Sequence, residues 1–290
     1  MCDDSILADM AEADRSDGIS RRGFALAGGA AAIAACSGSG VSGAGAAVKE
    51  RAVALPTPDG TADCQFFHPG SGKHPGIVMW PDIAGVRDAN KAMARRLAAA
   101  GHAVLLVNQY YRTGKAPVLA SFAEWRTPEG QAKLKPMIAA INPQATARDG
   151  GAFVAWLDKQ PQVDKSRGIG SNGYCMGGPF AVRTALAAPG RVKAAASLHG
   201  ASLVTDAPDS PHRLLGLTQA AFLFAIARND DARAPGDKDA LKAAAAAAAR
   251  KAEVEVYAAD HGWTVPDSPS YNEAEAERAW GRMAALFATL

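Results

Sequence analysis

The stretch GIGSNGYCMGGPFAVRTALAA, residues 168–188, decides the fold. Small and apolar residues over 167–173 predict a strand, and the small residues over 177–188 predict a helix. Cys175 stands between them in a Gly-x-Cys-x-Gly pattern. Glycines beside a nucleophile make room for the strained strand-to-helix turn that presents its side chain. The pattern therefore predicts a nucleophile elbow, with a buried structural cysteine as the alternative.

From about residue 50 onward, short apolar runs alternate with helical patterns. This alternation is typical of βα units, which build a mainly parallel central sheet flanked by helices on both faces. Beside the elbow strand, the predicted strands cover residues 76–80, 103–108, 192–200, 220–227 and 252–258. The predicted helices cover residues 88–100, 146–159, 177–188, 237–251 and 272–290.

Two later strand ends supply the partners that a cysteine nucleophile needs. The segment RNDD follows one predicted strand and offers Asp230, with Asp231 as the alternative. The segment ADHGW follows the next strand and offers His261. In α/β proteins built around such an elbow, the chain order is nucleophile, acid, base. We therefore predict a triad of Cys175, Asp230 and His261, with the helix N-terminus favouring the Cys175 thiolate.

Three further residues belong near this triad. His199 also ends a predicted strand and is the rival base, but it precedes the acid in the chain, so we assign it to the pocket wall or to packing. An oxyanion needs two backbone N–H donors. The residue after the nucleophile, Met176, supplies one, and Ile83, in the loop after strand 76–80, is predicted to supply the other.

A long segment, residues 112–145, interrupts the alternation of strands and helices. It carries four prolines, at positions 117, 128, 136 and 143. Long connections at the edge of a sheet frequently carry function. We predict that this segment forms a lid over the site.

Composition limits the partners of the chain. The 290 residues carry a net charge of only +2, which provides neither a basic stripe for nucleic acid nor an acidic tail. The length suits a single α/β domain over residues 50–290. The four cysteines show no metal-ligand spacing and no disulfide framework, so we expect no metal and no other cofactor.

Residues 1–49 read as an export signal followed by a flexible linker. Arg21 and Arg22 precede an uncharged, Gly/Ala-rich stretch, which resembles a twin-arginine signal and predicts a periplasmic or cell-envelope location. Cleavage could fall before Cys36, where IAAC resembles a lipoprotein box and predicts a lipid anchor, or within residues 42–47. The alternative is a disordered tail with a chance arginine pair.

The ordered landmarks GIVMWPDIAGVR, GYCMGG, ARNDD and DHGW resemble the dienelactone hydrolase family. The resemblance covers about residues 50–290, and a cysteine rather than a serine in the elbow is its specific part. It implies the α/β-hydrolase fold, with Cys175 as nucleophile, Asp230 as the acid that orients histidine, and His261 as base.

The resemblance also implies two substrate-binding residues. Asp82 stands where the best-known members have a glutamate that holds the resting thiol. Arg112 resembles the family arginine that binds a substrate carboxylate. A second such arginine, expected shortly after the catalytic histidine, is missing from HGWTVPD.

Together these features predict a cofactor-independent hydrolase that acts on a small-molecule lactone or ester, with no nucleic-acid partner. One alternative is a general exported carboxylesterase. The other is a non-catalytic binding protein on the same fold, because fold alone does not fix function. Since all three triad positions are filled, we favour catalysis.

Overall fold

An eight-stranded sheet runs through residues 47–290, the part of the chain that the computed structural model describes. In chain order the strands are β1 (Val48–Thr57), β2 (Gly60–Pro69), β3 (Gly76–Trp80), β4 (Ala103–Leu106), β5 (Ile169–Tyr174), β6 (Val192–Leu198), β7 (Ala221–Ala227) and β8 (Ala252–Tyr257). Their order across the sheet is β1-β2-β4-β3-β5-β6-β7-β8. Strands β3 to β8 pair in parallel, whereas β2 is antiparallel to β1 and β4. The predicted mainly parallel sheet is confirmed.

The connections between the strands carry the helices. In chain order these are α1 (Asp88–Ala99), α2 (Phe122–Trp125), α3 (Pro128–Ala139), α4 (Pro143–Leu157), α5 (Gly177–Ala187), α6 (Arg228–Arg233), α7 (Asp237–Ala247) and α8 (Glu273–Phe287). The five predicted helices are confirmed as α1, α4, α5, α7 and α8. Helix α7 ends earlier than predicted because Ala249 adopts a φ of 52°, the left-handed conformation that terminates helices.

Strand β3 shows how helices cover both faces of the sheet. Met79 packs on one face in a buried cluster that includes Met283 of α8. Trp80 points to the other face, where its ring centroid lies 5.4 Å from those of Phe153 in α4 and Phe180 in α5. All five residues of the strand are buried. A strand buried on both faces has a continuous apolar sequence, which is why GIVMW lacks alternation.

The sequence reading missed an antiparallel hairpin at one edge of the sheet. Strands β1 and β2 pair along their whole length and turn between Thr57 and Gly60. Most of β1 is solvent-exposed, and its buried residues are Val53 and Leu55. An edge strand with one solvent-exposed face carries charged residues among the apolar ones, so its sequence lacks the continuous apolar run from which the other strands were predicted.

The helices within residues 47–290 are all too short or too polar to cross a membrane. The predicted twin-arginine motif and Cys36 lie outside the described residues, so the structure does not test them.

Candidate active site

Cys175 occupies the sharp turn between β5 and α5. Its φ of 52° lies in the left-handed region that residues with a side chain rarely adopt. A Cβ at Gly173 would clash with the carbonyl oxygen of Gly177. A Cβ at Gly177 would lie 2.6 Å from the carbonyl oxygen of Pro81, in the loop after β3. Both glycines are therefore required by the close approach of backbone, and the predicted elbow geometry is confirmed.

The backbone of Cys175 is tied to the end of β6. Its N–H lies 3.1 Å from the carbonyl oxygen of Leu198 and 3.1 Å from Nδ1 of His199. Its carbonyl oxygen accepts hydrogen bonds from the N–H groups of Gly178 and Ala201. The Cys175 side chain is a free thiol in a residue that is 3 % exposed. These bonds hold the strained conformation in place.

The predicted acid and the predicted base approach each other from two neighbouring segments, each of which follows a strand. His261 follows β8, and its Nδ1 lies 2.7 Å from Oδ2 of Asp230 at the start of α6. The side chain of Asn229 accepts a hydrogen bond of 2.9 Å from the His261 N–H. Asp231 instead pairs with Lys238 at 2.7 Å. The structure thus brings Asp230, rather than Asp231, to the histidine.

The charges around His261 favour its protonated form. Burial disfavours the imidazolium, but the electrostatic interactions of His261 with Cys175 and with Asp230, the second of which hydrogen-bonds the ring, favour it more strongly. The pKa of His261 consequently lies well above its ordinary value. A raised pKa at this position is what a thiolate–imidazolium pair requires, since the proton then resides on the histidine.

The two predicted oxyanion donors lie on adjoining segments. Met176 begins the turn into α5, and Ile83 lies in the loop that contacts the elbow through Pro81. The Ile83 carbonyl accepts a 2.7 Å hydrogen bond from the hydroxyl of Tyr110, which fixes the loop. Within residues 47–290, neither the Met176 nor the Ile83 N–H has a hydrogen-bond acceptor. Their role as oxyanion donors stays a prediction.

Asp82 lies in a different environment from the one that the resemblance implied. Its two carboxylate oxygens accept hydrogen bonds of 2.8 and 2.9 Å from Arg87, and both residues are 1 % exposed. Arg87 also binds Asp267, in the loop after His261, at 2.7 Å. Asp82 thus pairs with an arginine rather than with the Cys175 thiol. Its observed role is to tie the Ile83 loop to the His261 loop through Arg87.

Arg112 likewise has carboxylate partners of its own. It makes hydrogen bonds of 2.8 and 2.9 Å to Asp149 and one of 2.6 Å to Asp59. Its guanidinium also stacks on the ring of Tyr111. A carboxylated substrate would have to compete with both aspartates, and the substrate-binding role of Arg112 stays a prediction.

The predicted lid, residues 112–145, folds into α2, α3 and their connections. It buries Phe122, Trp125 and Leu134. The Phe122 N–H donates a 3.0 Å hydrogen bond to Asp267, which places α2 beside the loop that carries His261. The segment is thus packed next to the site, and movement as a lid stays a prediction.

Fold and site together have the arrangement of an α/β-hydrolase: a mainly parallel sheet with the Cys175 turn after β5, Asp230 after β7 and His261 after β8. The sequence profile described as "Dienelactone hydrolase family" matches residues 63–290. The chain belongs to this family and is a hydrolase.

Individual proteins agree with this assignment. A Synechocystis protein assigned as a carboxymethylenebutenolidase is 28% identical over 222 residues, which cover 75% of this chain and 87% of that protein. The fold matches the crystal structure of a Klebsiella pneumoniae protein assigned as a dienelactone hydrolase, with a TM-score of 0.72 and 22% identity over 84% of this chain and 100% of that one. It also matches a dienelactone hydrolase-like promiscuous phosphotriesterase from metagenomic libraries, with a TM-score of 0.66, 22% identity and coverage of 83% and 98%.

Sequence reasoning missed three residues that shape the site. Asn229 fixes the backbone of His261, and Arg87 with Asp267 links the loops around the elbow. Asn229 could have been predicted, because it adjoins the predicted acid in RNDD and asparagine side chains commonly hydrogen-bond nearby backbone groups. The Arg87–Asp267 pair spans nearly the whole domain and has no local signal.

Proposed function

We propose that this hydrolase cleaves lactones or small carboxylic esters through an acyl-enzyme formed on Cys175. The observation that carries the proposal is the 2.7 Å hydrogen bond between Asp230 and His261, whose ring lies 4.9 Å from that of His199, the residue that binds the Cys175 N–H. Asp230 occupies Nδ1 of His261, so Nε2 is the nitrogen left to exchange a proton with the thiol and with the reacting groups. This arrangement has the geometry of a nucleophile, a base and the group that orients the base.

In the first half-reaction the Cys175 thiolate attacks the carbonyl carbon of the substrate. A C–S bond forms, and the carbonyl oxygen becomes an oxyanion that the N–H groups of Met176 and Ile83 can bind. When the intermediate collapses, the C–O bond of the ester breaks. The imidazolium of His261 gives its proton to the departing alkoxide, which leaves as an alcohol. In a lactone that alcohol stays tethered to the acyl group.

In the second half-reaction neutral His261 takes a proton from water. The resulting hydroxide attacks the thioester carbonyl, and the same two N–H groups bind the second oxyanion. The C–S bond then breaks, which releases a carboxylic acid and restores the thiolate–imidazolium pair. Asp230 remains ionised throughout and stabilises the imidazolium each time it forms.

The charges near the site favour neutral substrates. The positive charge of Arg112 is already balanced by Asp149 and Asp59, and Arg87 is balanced by Asp82 and Asp267. A substrate carboxylate would therefore find no uncompensated partner among these arginines, and its desolvation would cost free energy. A neutral lactone or short ester avoids this cost.

Turnover of a panel of neutral and carboxylated lactones and aryl esters tests this function. Cys175→Ser should lose most of the activity while the melting temperature stays near that of the wild type, since thiol and hydroxyl are similar in size. Cys64→Ala is the matched control, because Cys64 is buried in β2 and burial raises its pKa to about 12. Full activity of Cys175→Ser contradicts the covalent mechanism. A wild-type protein that binds panel members without cleaving them supports the binding-protein alternative.

We also propose that the protein is exported. The support is the sequence pattern alone: paired Arg21 and Arg22 before an uncharged Gly/Ala-rich stretch. Cell fractionation of the wild type and of a variant with both arginines changed to lysine tests export. Mass analysis of the mature N-terminus distinguishes a lipidated Cys36 from cleavage within residues 42–47. Equal retention of both forms in the cytoplasm contradicts the proposal.

A further inference from the structure

His199 lies directly beneath the elbow, in a position that the proposed reaction does not use. It follows the last residue of β6, is 1 % exposed and adopts a φ of 40°. A non-glycine residue in the left-handed region is strained, and such strain persists where surrounding contacts hold it. For His199 one such holding contact is the 3.1 Å hydrogen bond that the Cys175 N–H donates to its Nδ1. Two strained residues, Cys175 and His199, thus share one bond.

The hydrogen bonds of His199 fix its protonation. Nδ1 accepts a hydrogen bond from the Cys175 backbone N–H, so it carries no hydrogen of its own. The hydrogen must then be on Nε2, which lies 2.8 Å from Oγ1 of Thr264 and donates to it. Burial first, and then the positive charge of His261, lower the pKa of His199 well below its ordinary value. The ring is therefore a neutral imidazole in a single tautomer.

The same ring also contacts the base. The centroids of His199 and His261 lie 4.9 Å apart with the rings edge to face, and Trp263 packs on His199 at 5.1 Å. Tyr174, at 6.2 Å, and Cys175 are the other titratable groups against it. In a charged imidazole Nδ1 could no longer accept from the Cys175 N–H, which would keep only its bond to the Leu198 carbonyl oxygen, and the ring would repel the His261 imidazolium.

We infer that His199 is a positioning residue, which as a neutral imidazole fixes the Cys175 backbone and the His261 ring so that the thiolate–imidazolium pair forms. The inference rests on the proposed roles of Cys175 and His261. It adds a residue that touches neither substrate nor the reacting atoms, and acts through the nucleophile and the base. Thr264 supports the same arrangement, because its hydroxyl oxygen accepts the hydrogen bond from Nε2 in this tautomer.

The test measures the thiolate directly and needs no substrate. Full-length wild-type and variant proteins react with iodoacetamide across a range of pH, and mass spectrometry of the digest quantifies labelling at Cys175. His199→Phe keeps a ring but removes the acceptor; His199→Asn keeps an acceptor near the position of Nδ1. Below neutral pH we expect labelling to slow about tenfold in His199→Phe and less than about threefold in His199→Asn, the difference that one hydrogen bond makes. The pH midpoint of labelling should rise in His199→Phe.

A second pair of variants leaves the ring in place. Thr264→Val removes the acceptor for Nε2–H and should slow labelling in the same direction, whereas Thr264→Ser keeps the hydroxyl and should react like the wild type. This pair decides the question if His199→Phe does not fold.

Wild-type labelling and pH midpoint in both His199→Phe and Thr264→Val overturn the inference. Equal slowing in His199→Phe and His199→Asn also overturns it, because packing alone would then explain the loss. A wild type that turns over no ester but shows the expected labelling contrast refutes the proposed function and leaves this inference standing.

Discussion

Replacement of Asp230 by asparagine removes one negative charge and leaves the shape of the site unchanged. The lost interaction is the 2.7 Å contact with His261, whose side chain is 19% exposed against 20% for Asp230. A charge-assisted hydrogen bond in such a partly buried place stabilises by about 2 kcal/mol, which corresponds to roughly thirtyfold in rate. We therefore expect kcat/KM for an aryl ester to fall by at least about thirtyfold, with the ~10⁴-fold loss seen when a serine triad loses its aspartate as the upper bound.

The Asp230→Asn substitution should also shift the pH dependence of activity in a definite direction. Asp230 raises the pKa of His261, so its removal lowers that pKa. The imidazolium, and with it the ion pair, is lost as pH rises through the His261 pKa. The activity of Asp230→Asn should therefore decline at a lower pH on the alkaline side than wild-type activity does, as a pH series of initial rates will show.

Asp231→Asn is the matched control for this experiment. Asp231 is the adjacent carboxylate in the same helix, and it pairs with Lys238 instead of His261. We expect its kcat/KM to remain within about twofold of the wild type, as is typical for a partly exposed ion pair. Equal losses in the two variants, or wild-type rates in Asp230→Asn, would refute the assignment of the acid.

Gly177→Ala places a Cβ against the carbonyl oxygens at the end of β3 and should lower the free energy of unfolding by about 1–3 kcal/mol, whereas Gly281→Ala, in open space on α8, should raise it by about 0.5–1 kcal/mol. Urea unfolding measures both, and similar effects would contradict the close packing at the elbow. Arg87→Met leaves the buried carboxylate of Asp82 without its arginine and should lower the free energy of unfolding, measured in urea, by about 3–5 kcal/mol, against less than about 1 kcal/mol for Arg95→Met in an exposed pair. Equal losses would argue against a structural role of the buried Arg87 ion pairs. Arg112→Ala should change kcat/KM equally for carboxylated and neutral esters, because the guanidinium is already paired with Asp149 and Asp59; a larger loss for carboxylated esters would show that Arg112 binds the substrate carboxylate.

The elbow and the sheet could be predicted because their signals are local. The glycines on either side of Cys175 form a recognisable short pattern, although the contact that requires Gly177 is with the distant Pro81, and GIVMW is apolar because β3 is covered on both faces. Asp230 and His261 were found from position, since residues after the carboxyl ends of parallel strands meet at one edge. Neither prediction depended on a sequence motif around the residue itself.

The partners of the predicted substrate-binding residues could not be read from the sequence. Asp82 pairs with Arg87, and Arg87 with Asp267, 180 residues further along the chain. Arg112, in the segment after β4, and Asp149, in α4, likewise meet only in the folded chain. Such pairs depend on how the chain packs in three dimensions, so neither the sequence nor the resemblance identified the partners of Asp82 and Arg112.

The covalent intermediate tests the account most directly. The full-length protein is mixed with an activated aryl ester, quenched in acid within the first turnover and analysed by intact and peptide mass spectrometry. The account predicts one added acyl group, located on the Cys175 peptide, absent after pretreatment with iodoacetamide and absent from Cys175→Ser at the same time point. An acyl group on another residue, or turnover that persists after Cys175 is alkylated, would contradict the assignment of Cys175 as the nucleophile.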